Sequence, residues 1–385
     1  MNITENIFHI GVNDYDIDLF EGQYMVEKGM AYNSYLISDE KIAVLDTVDK
    51  KFGDLWLSNI AECIGDKAPD FLVVHHMEPD HSANIDRFME KYPNAKIVSN
   101  SKSFTMIKQF FGNDFADRQI VVGEGDTLEL GNHTLTFITA PMVHWPEVVL
   151  SYESNTKTLF SADAFGKFGT TDADEDWACE ARRYYFGIVG KYGAQVQTLL
   201  KKAANLDIKT ICPLHGPVLS ENLSYYLGLY NTWSAYEAET EGVAIFYTSV
   251  YGNTKKAVEL LEEELKKLGC PKLCVTDLAR SDMAEAVEDA FRYDKIVLAT
   301  TTYNGTIFPF MNEFINHLTE RNYQNRKVGI IENGSWALAA ERTIKAKLEK
   351  SKNISYTENS VHIKSSVNAE NVKEIEAMAK ELCGK

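Results

Sequence analysis

The chain is poor in cysteine, in basic residues and in long apolar runs, and each shortage excludes something. Its six cysteines, in 385 residues, are Cys63, Cys179, Cys212, Cys270, Cys274 and Cys383. Only Cys270 and Cys274 are close, and their CxxxC spacing suits neither a CxxC redox pair nor a zinc ribbon. With no four-cysteine cluster there is no seat for an iron–sulfur centre or a rubredoxin-like module. Reduced thiols in a cytoplasmic protein are the expectation. Thirty-nine basic residues stand against 56 acidic ones, a formal net charge of −17. That balance excludes a nucleic-acid or anionic-membrane binder, which needs a basic footprint. No run of about 18 apolar residues occurs, so no membrane-spanning helix is expected. The start, MNITENIFHIGVNDYDIDLF, has neither a basic n-region nor an apolar h-region, so no signal peptide is expected.

What is present is ordinary globular material. Apolar residues make up 45% and charged residues 25%, which excludes wholesale disorder. At roughly 100–200 residues per domain the simplest division is into two. Residues 1–242 are rich in short β-type runs, among them MAYNSYLIS, KIAVLD, FLVVHH, AKIVSN, HTLTFITA, VVLSYES and KTLFSAD. Helical patterns such as DHSANIDRFMEKYP lie between them. This predicts sheet packed on sheet with helices outside. Residues 220–241 carry apolar or aromatic side chains at helical spacing, and the acidic stretch Glu237–Gly242 follows. No Pro- or Ser-rich tract marks a linker. From Val243 onward, strands such as VAIFYTS, LCVTDLA, KIVLATTTY, KVGIIEN and VHIKSS alternate with amphipathic helices. Five strands in that rhythm predict a doubly wound parallel sheet over residues 243–385.

The densest chemistry is FLVVHHMEPDHSAN. An apolar strand over Phe71–His75 runs into His76, Glu78, Asp80 and His81. Residues spaced by two on an extended backbone project to one side, and a turn after Pro79 would bring His81 round to join them. Burying two carboxylates and two imidazoles together without a cation would be costly. His75 is out of phase and reads as a supporting or packing residue. His144, Asp163 and His215 each follow another apolar run. Four imidazoles and three carboxylates with no thiolate form a hard N/O set, better suited to iron or manganese than a zinc–thiolate site is. His9, His133, His317 and His362 match nothing and read as surface or packing residues. The segment VGEGDTLELG reads as a β-turn in a hairpin.

A second constellation begins at the strand end Phe246-Tyr247. Thr248, Ser249, Val250, Tyr251, Gly252, Asn253 and Thr254 lead into a helix. Hydroxyls and an unhindered glycine before a helix N-terminus form an anion cradle. The loop lacks the Gly-Lys-Ser/Thr of a Walker motif. Two later strand ends lead into Thr300, Thr301, Thr302, Tyr303, Asn304 and Gly305, and into Glu332, Asn333, Gly334, Ser335 and Trp336. Both lie where ligands bind in open α/β sheets, and Tyr303 and Trp336 can stack on a ring.

The series His76, Glu78, Asp80, His81, His144, Asp163, His215 resembles the metallo-β-lactamase superfamily. There, HxHxDH, a later His, a later Asp and a final His hold two metals. Glu78 replaces the second His of that pattern, and HxExDH resembles the flavodiiron proteins (A-type flavoproteins), one branch of the superfamily. The three later loops resemble the FMN loops of flavodoxin-like domains, although Tyr251 stands where a Thr or Gly is common. Thr300-Thr301 stands where flavodiiron proteins often have Ser-Pro. The resemblance implies an N-terminal metallo-β-lactamase-like αβ/βα sandwich followed by a flavodoxin-like domain. It implies two irons: His76, Glu78 and His144 on one, Asp80, His81 and His215 on the other, and Asp163 bridging. FMN would lie on the loops 248–254, 302–305 and 333–336. The implied activity is reduction of O2 to water or of NO to N2O, with electrons from an external donor passing through FMN. The chain ends in a helix, so the donor is expected to be separate, a rubredoxin-like protein or a reduced deazaflavin. A head-to-tail homodimer or tetramer is implied as well. Two other classes remain open at this point: a binuclear metallohydrolase fused to a flavodoxin domain, and a flavin electron carrier with a structural metal site. Glu78 in place of His argues against the first, and the full seven-donor set against the second.

Overall fold

The structure, a computed structural model, describes residues 2–385. By compactness it divides into two units. One runs to Tyr185 and resumes over Ala194–Tyr230; the other takes Phe186–Gly193 and Asn231–Lys385. The sequence-based boundary after Gly242 falls a little inside the second unit.

In the first unit, two sheets face each other. The six-stranded sheet runs in the order Ile7–His9, Tyr35–Ser38, Ile42–Leu45, Phe71–Val73, Lys96–Ser99, Gln119–Val121. The five-stranded sheet runs Thr127–Glu129, Thr134–Thr139, Val149–Glu153, Thr158–Phe160, Thr210–Cys212. Alternate side chains supply the layer between them. Tyr35, Ile37, Leu45, Val73 and Val98 come from one sheet; Leu128, Leu135, Phe137, Val149 and Phe160 come from the other. This is the sheet-on-sheet packing expected from the strand-rich first half, and the sandwich that the metallo-β-lactamase resemblance implies. The segment around Gly123–Gly125 is not a hairpin, because the strands on either side of it belong to different sheets. Asp126 accepts the Gly123 N–H at 2.7 Å, and Gly125 takes φ 79°. The turn therefore carries the chain from one sheet to the other.

The strands Ile42–Leu45, Phe71–Val73 and Lys96–Ser99 are mutually parallel, as are Thr158–Phe160 and Thr210–Cys212. Their carboxyl ends carry most of the polar residues singled out above. One local detail differs from the extended reading of HxExDH. The strand stops at Val73, and Pro79 occupies the first turn of a short helix, Pro79–Ser82, that contains Asp80 and His81. Proline fixes φ and needs no N–H partner there. The helix, rather than a period of two, turns Asp80 and His81 inward together.

The second unit is a parallel sheet in the order Leu273–Asp277, Thr240–Tyr247, Tyr293–Tyr303, Arg326–Asn333, with Ile354–Tyr356 and Val361–Ile363 beyond. With its last main strand counted fifth, this is the flavodoxin order 2-1-3-4-5. Val243 and Ile245 face the helices Asn253–Lys267 and Ala369–Leu382 in one core. The alternate residue Phe246 packs its ring against Phe314 of Pro309–Glu320, on the opposite face. The strand Ile354–Tyr356 was not read from the sequence. The segment Phe186–Gly193, which the sequence reading left in the first half, belongs here by packing. Phe186 stacks on Phe291 at 4.1 Å, and Arg321 Nε donates to the Phe186 carbonyl at 2.7 Å.

Candidate metal centre and flavin cavity

Three loops that leave parallel strand ends, and one that leaves the antiparallel strand Thr134–Thr139, bring all seven metal-ligand candidates together in two adjoining groups, His76–Glu78–His144–Asp163 and Asp80–His81–His215. In the first, His144 Nε2 lies 3.0 Å from both Glu78 Oε2 and Asp163 Oδ2. His76 Nε2 lies 3.2 Å from Glu78 Oε2, 3.3 Å from His144 Nε2 and 3.4 Å from Asp163 Oδ2. In the second, His81 Nε2 lies 3.0 Å from His215 Nε2 and 3.2 Å from Asp80 Oδ2. Asp163 turns its other oxygen, Oδ1, to this group, 3.4 Å from His81 and 3.8 Å from His215.

These spacings fit cations. Donors about 2.1 Å from a first-row metal stand ~3.0 Å apart at right angles and ~3.4 Å apart at the tetrahedral angle. The chemistry of the contacts agrees. Paired Nε2 atoms face each other, and both Asp80 oxygens and Asp163 Oδ1 are buried without a hydrogen-bond donor among the described residues. Orphaned buried acceptors of that kind are expensive unless a cation completes them. A set of imidazole and carboxylate donors without thiolate suits iron, manganese or zinc.

Other residues hold the donors in place, and the sequence reading missed most of them. Asp46, at φ 58°, points back so that Oδ1 accepts the His75 N–H at 2.7 Å, while Oδ2 meets His75 Nδ1. His75 Nε2 meets Ser151 Oγ at 2.8 Å, so His75 braces the loop and stays out of both groups. Glu147, fully buried, places Oε1 2.9 Å from His76 Nδ1. His215 Nδ1 lies 2.7 Å from the Ala31 carbonyl. Phe20 and Tyr184 set their rings 5.4 Å from His215, and Trp145 sits 5.3 Å from His76. The side chain of Glu78 is the most exposed of the seven at 14%, so the cage opens on its side. His9 is half-buried and bonded to Asn33, and His133 is buried and paired with Glu153. His317 and His362 pair with Glu313 and Glu332.

Electrostatics in the metal-free cage favour protonation of His76, His81 and His144, whereas burial and the neighbouring His81 lower His215. Burial depresses His76 and His144, but the carboxylates overturn it. Asp163, Glu147 and Glu78 raise His76 well above its ordinary value, and Asp163 and Glu78 push His144 up to about 9. Burial raises Asp163, but the surrounding imidazoles hold it well below the carboxylate range. A group raised from 6.5 to about 9 adds stability that is complete below the lower value and lost as pH climbs through the higher one. The melting temperature of the metal-free protein is therefore expected to fall between about pH 6.5 and 9. The metal-loaded protein should not follow, since bound cations displace those protons. Parallel pH–melting curves for the two forms would contradict this.

The second unit has a cavity of about 600 Å³ at its strand ends, within the range of small-molecule sites. It is lined by Ser249, Val250, Tyr251, Asn253 and Thr254, by Thr302–Gly305, and by Asn333–Trp336. Thr301, Ala337 and Ser365 line it as well. Thr248 is buried and shares a 2.7 Å hydrogen bond with Thr300 Oγ1. Gly252 does not line the cavity; it takes φ 90°, where a side chain would be strained, and precedes the helix Asn253–Lys267. Ser249 Oγ accepts the N–H groups of Gly252 and Lys255 at 3.1 and 3.2 Å. Tyr251 and Trp336 are 93% and 96% exposed. Two bare aromatic faces beside a hydroxyl-rich helix N-terminus fit a flat ring with a phosphate tail. Ser365, beyond the last strand, had no sequence signal.

Fold and site together define a two-domain protein, a β-lactamase-like domain with a binuclear donor cage followed by a flavodoxin domain. The family model for the ODP family beta lactamase matches residues 30–216, and that for the flavodoxin domain matches residues 244–364. An uncharacterized protein of Methanocaldococcus jannaschii is 32% identical over 329 residues, 83% of this chain and 81% of that one. The putative diflavin flavoprotein A 1 of a Nostoc species is 32% identical over 342 residues, 87% of this chain but 58% of the relative. The anaerobic nitric oxide reductase flavorubredoxin of Vibrio vulnificus is 28% identical over 361 residues, covering 90% of this chain and 72% of that one. Among solved structures, the flavodiiron protein from Giardia intestinalis aligns with a TM-score of 0.91 at 26% identity, over 99% of this chain and 97% of that one. The rubredoxin oxygen:oxidoreductase of Desulfovibrio gigas shares the fold with a TM-score of 0.91 at 24% identity, over 100% of this chain and 98% of that one. The chain belongs to the flavodiiron protein family. Among the described residues, no helix is long and apolar enough to cross a membrane.

Proposed function

We propose that the protein is a flavodiiron oxidoreductase that reduces O2 to water, NO to N2O, or both. The observation that carries this reading is Asp163, whose two carboxylate oxygens face two separate groups of matched donors. His76, Glu78 and His144 would hold one iron, Asp80, His81 and His215 the other, with Asp163 between them. The loops 248–254, 302–305 and 333–336 would hold FMN. When bound, iron would supply redox chemistry for reducing the gas and FMN would supply a relay for electrons from an external donor. The chain's own part is positioning. Glu78 and His144 border the open side, where a diatomic molecule enters. Buried Phe20 and Tyr184 keep water from the side of His215. Ser249 and the backbone N–H groups of the loop after it would hold the phosphate, and Tyr251 and Trp336 would stack on the ring. The names of the Vibrio vulnificus relative and the Desulfovibrio gigas neighbour support NO and O2 respectively, and this reading leans to O2. A rubredoxin-like protein or a reduced deazaflavin serves as donor, and a homodimer or tetramer is the working assembly.

The test is anaerobic turnover of iron- and flavin-replete protein, first with O2 and then with NO, using one artificial flavin-reducing donor. Fast O2 loss with slow NO loss identifies an oxygen reductase; the reverse identifies an NO reductase. Consumption of neither would overturn the proposal. A variant sharpens the ligand assignment. His81→Asn should lower metal content toward one per chain and cut turnover by about tenfold or more. Full metal content with unchanged turnover would remove His81 from the ligand set.

A further inference from the structure

The two donor groups match in their inner chemistry and differ in what stands behind them. Each presents two imidazole Nε2 atoms, one private carboxylate and one oxygen of Asp163. Donor type and charge therefore give no reason for one position to bind more tightly. The far side of the imidazoles does. His76 Nδ1 lies 2.9 Å from Glu147 Oε1, which also accepts the Met77 N–H at 2.9 Å. Glu147 is fully buried, and Asn100 Nδ2 donates to its backbone carbonyl. In the other group, His215 has only the neutral Ala31 carbonyl, at 2.7 Å, and His81 Nδ1 is buried without any partner among the described residues. An anionic acceptor on the N–H of a ligating imidazole fixes the tautomer and raises the ligand's basicity. A carbonyl does this weakly, and an absent partner not at all.

Resting on the two-metal reading above, we propose that the two positions bind metal unequally. Glu147 is the positioning residue that makes the His76–Glu78–His144 position the tighter one. The Asp80–His81–His215 position empties first.

The test uses full-length protein loaded with iron-57 and dialysed against graded EDTA under anaerobic conditions. Metal per chain is counted, and the Mössbauer doublets are followed. Wild type should lose its metals in two steps separated by about ten- to hundredfold in chelator, with a one-iron form between them. Glu147→Gln should draw the tight step toward the weak one, and Glu147→Asp should restore the separation. His81→Asn should abolish the weak step and leave the tight one in place. A single step in wild type would overturn the proposal, and so would a Glu147→Gln protein with both steps unmoved. Circular dichroism and flavin content show whether a variant has folded, and the wild-type result stands if one has not. Failure of the underlying reading looks different: fewer than two metals per chain in wild type even at saturating iron.

Discussion

Asp163→Asn is expected to empty both metal positions at once. The side chain is 1% exposed and gives Oδ2 to His144 and His76 and Oδ1 to His81 and His215. The amide keeps the volume and removes the charge. Four imidazoles then face two carboxylates instead of three, and one arm of the bridge presents an N–H2 donor where a cation belongs. Partners one bond further out cost about 10–100-fold in affinity or activity, so loss of a shared ligand should lower turnover by at least about a hundredfold. Metal analysis should find well under one metal per chain. Asp80→Asn is the control, because its carboxylate belongs to one group only and the other position should stay filled. Two metals retained in Asp163→Asn would refute the bridging assignment.

The largest stability effect is expected far from the metals, at Arg326. This residue is 2% exposed, and its guanidinium serves carbonyls rather than a carboxylate. Nη1 donates to Tyr236 at 2.8 Å and to Gln324 and Asn325 at 3.1 Å. Nη2 reaches Glu237 at 3.3 Å and also the Phe291 carbonyl. The fork thus ties the segment entering the flavodoxin sheet to the turn before Arg326 and to the last turn of the helix Met283–Arg292. Arg326→Met fills much of the space but leaves buried acceptors unpaired, each costing about 1–3 kcal/mol where water cannot reach. A loss of about 3–5 kcal/mol is expected, read from flavin release during urea unfolding of the full chain. Arg326→Lys should recover only part of it, since a single ammonium cannot span the fork. A midpoint unchanged in Arg326→Met would show that the carbonyls find water.

How much of this was legible in the sequence depends on where the information lies. The seven donor candidates stood out because chemically rare residues follow apolar strands, a pattern that survives short errors in strand length. Asp80 was read as a candidate ligand from a spacing of two on an extended backbone, and it reaches the cage although that backbone is helical, because the helix Pro79–Ser82 turns it inward with His81. Glu147 was not legible. An acid three residues after His144 looks like any loop carboxylate until the fold brings it behind His76. Ala31 contributes only a backbone carbonyl, which no side-chain pattern reveals. Phe186 has its partners at Phe291 and Arg321, more than a hundred residues on, so local periodicity assigned it to the wrong neighbours. Ser365 lines the flavin cavity from a loop with no ligand-like composition. What one chain segment shows alone could be read; what two distant segments make together could not.

The spread of the seven donors along the chain sets a schedule for making the protein. His81 and His215 touch at 3.0 Å across a sequence separation of 134. A ribosome adding roughly 5–20 residues per second needs about 7–27 s to supply that last imidazole after the first four donors have emerged. During that interval the chain offers His76, Glu78, Asp80 and His81 without their later partners, and an incomplete imidazole–carboxylate set follows the general affinity order, in which copper and zinc outrank iron. Correct metallation is then a question of timing as much as affinity. It favours metal delivered to the finished chain over metal captured by the nascent one.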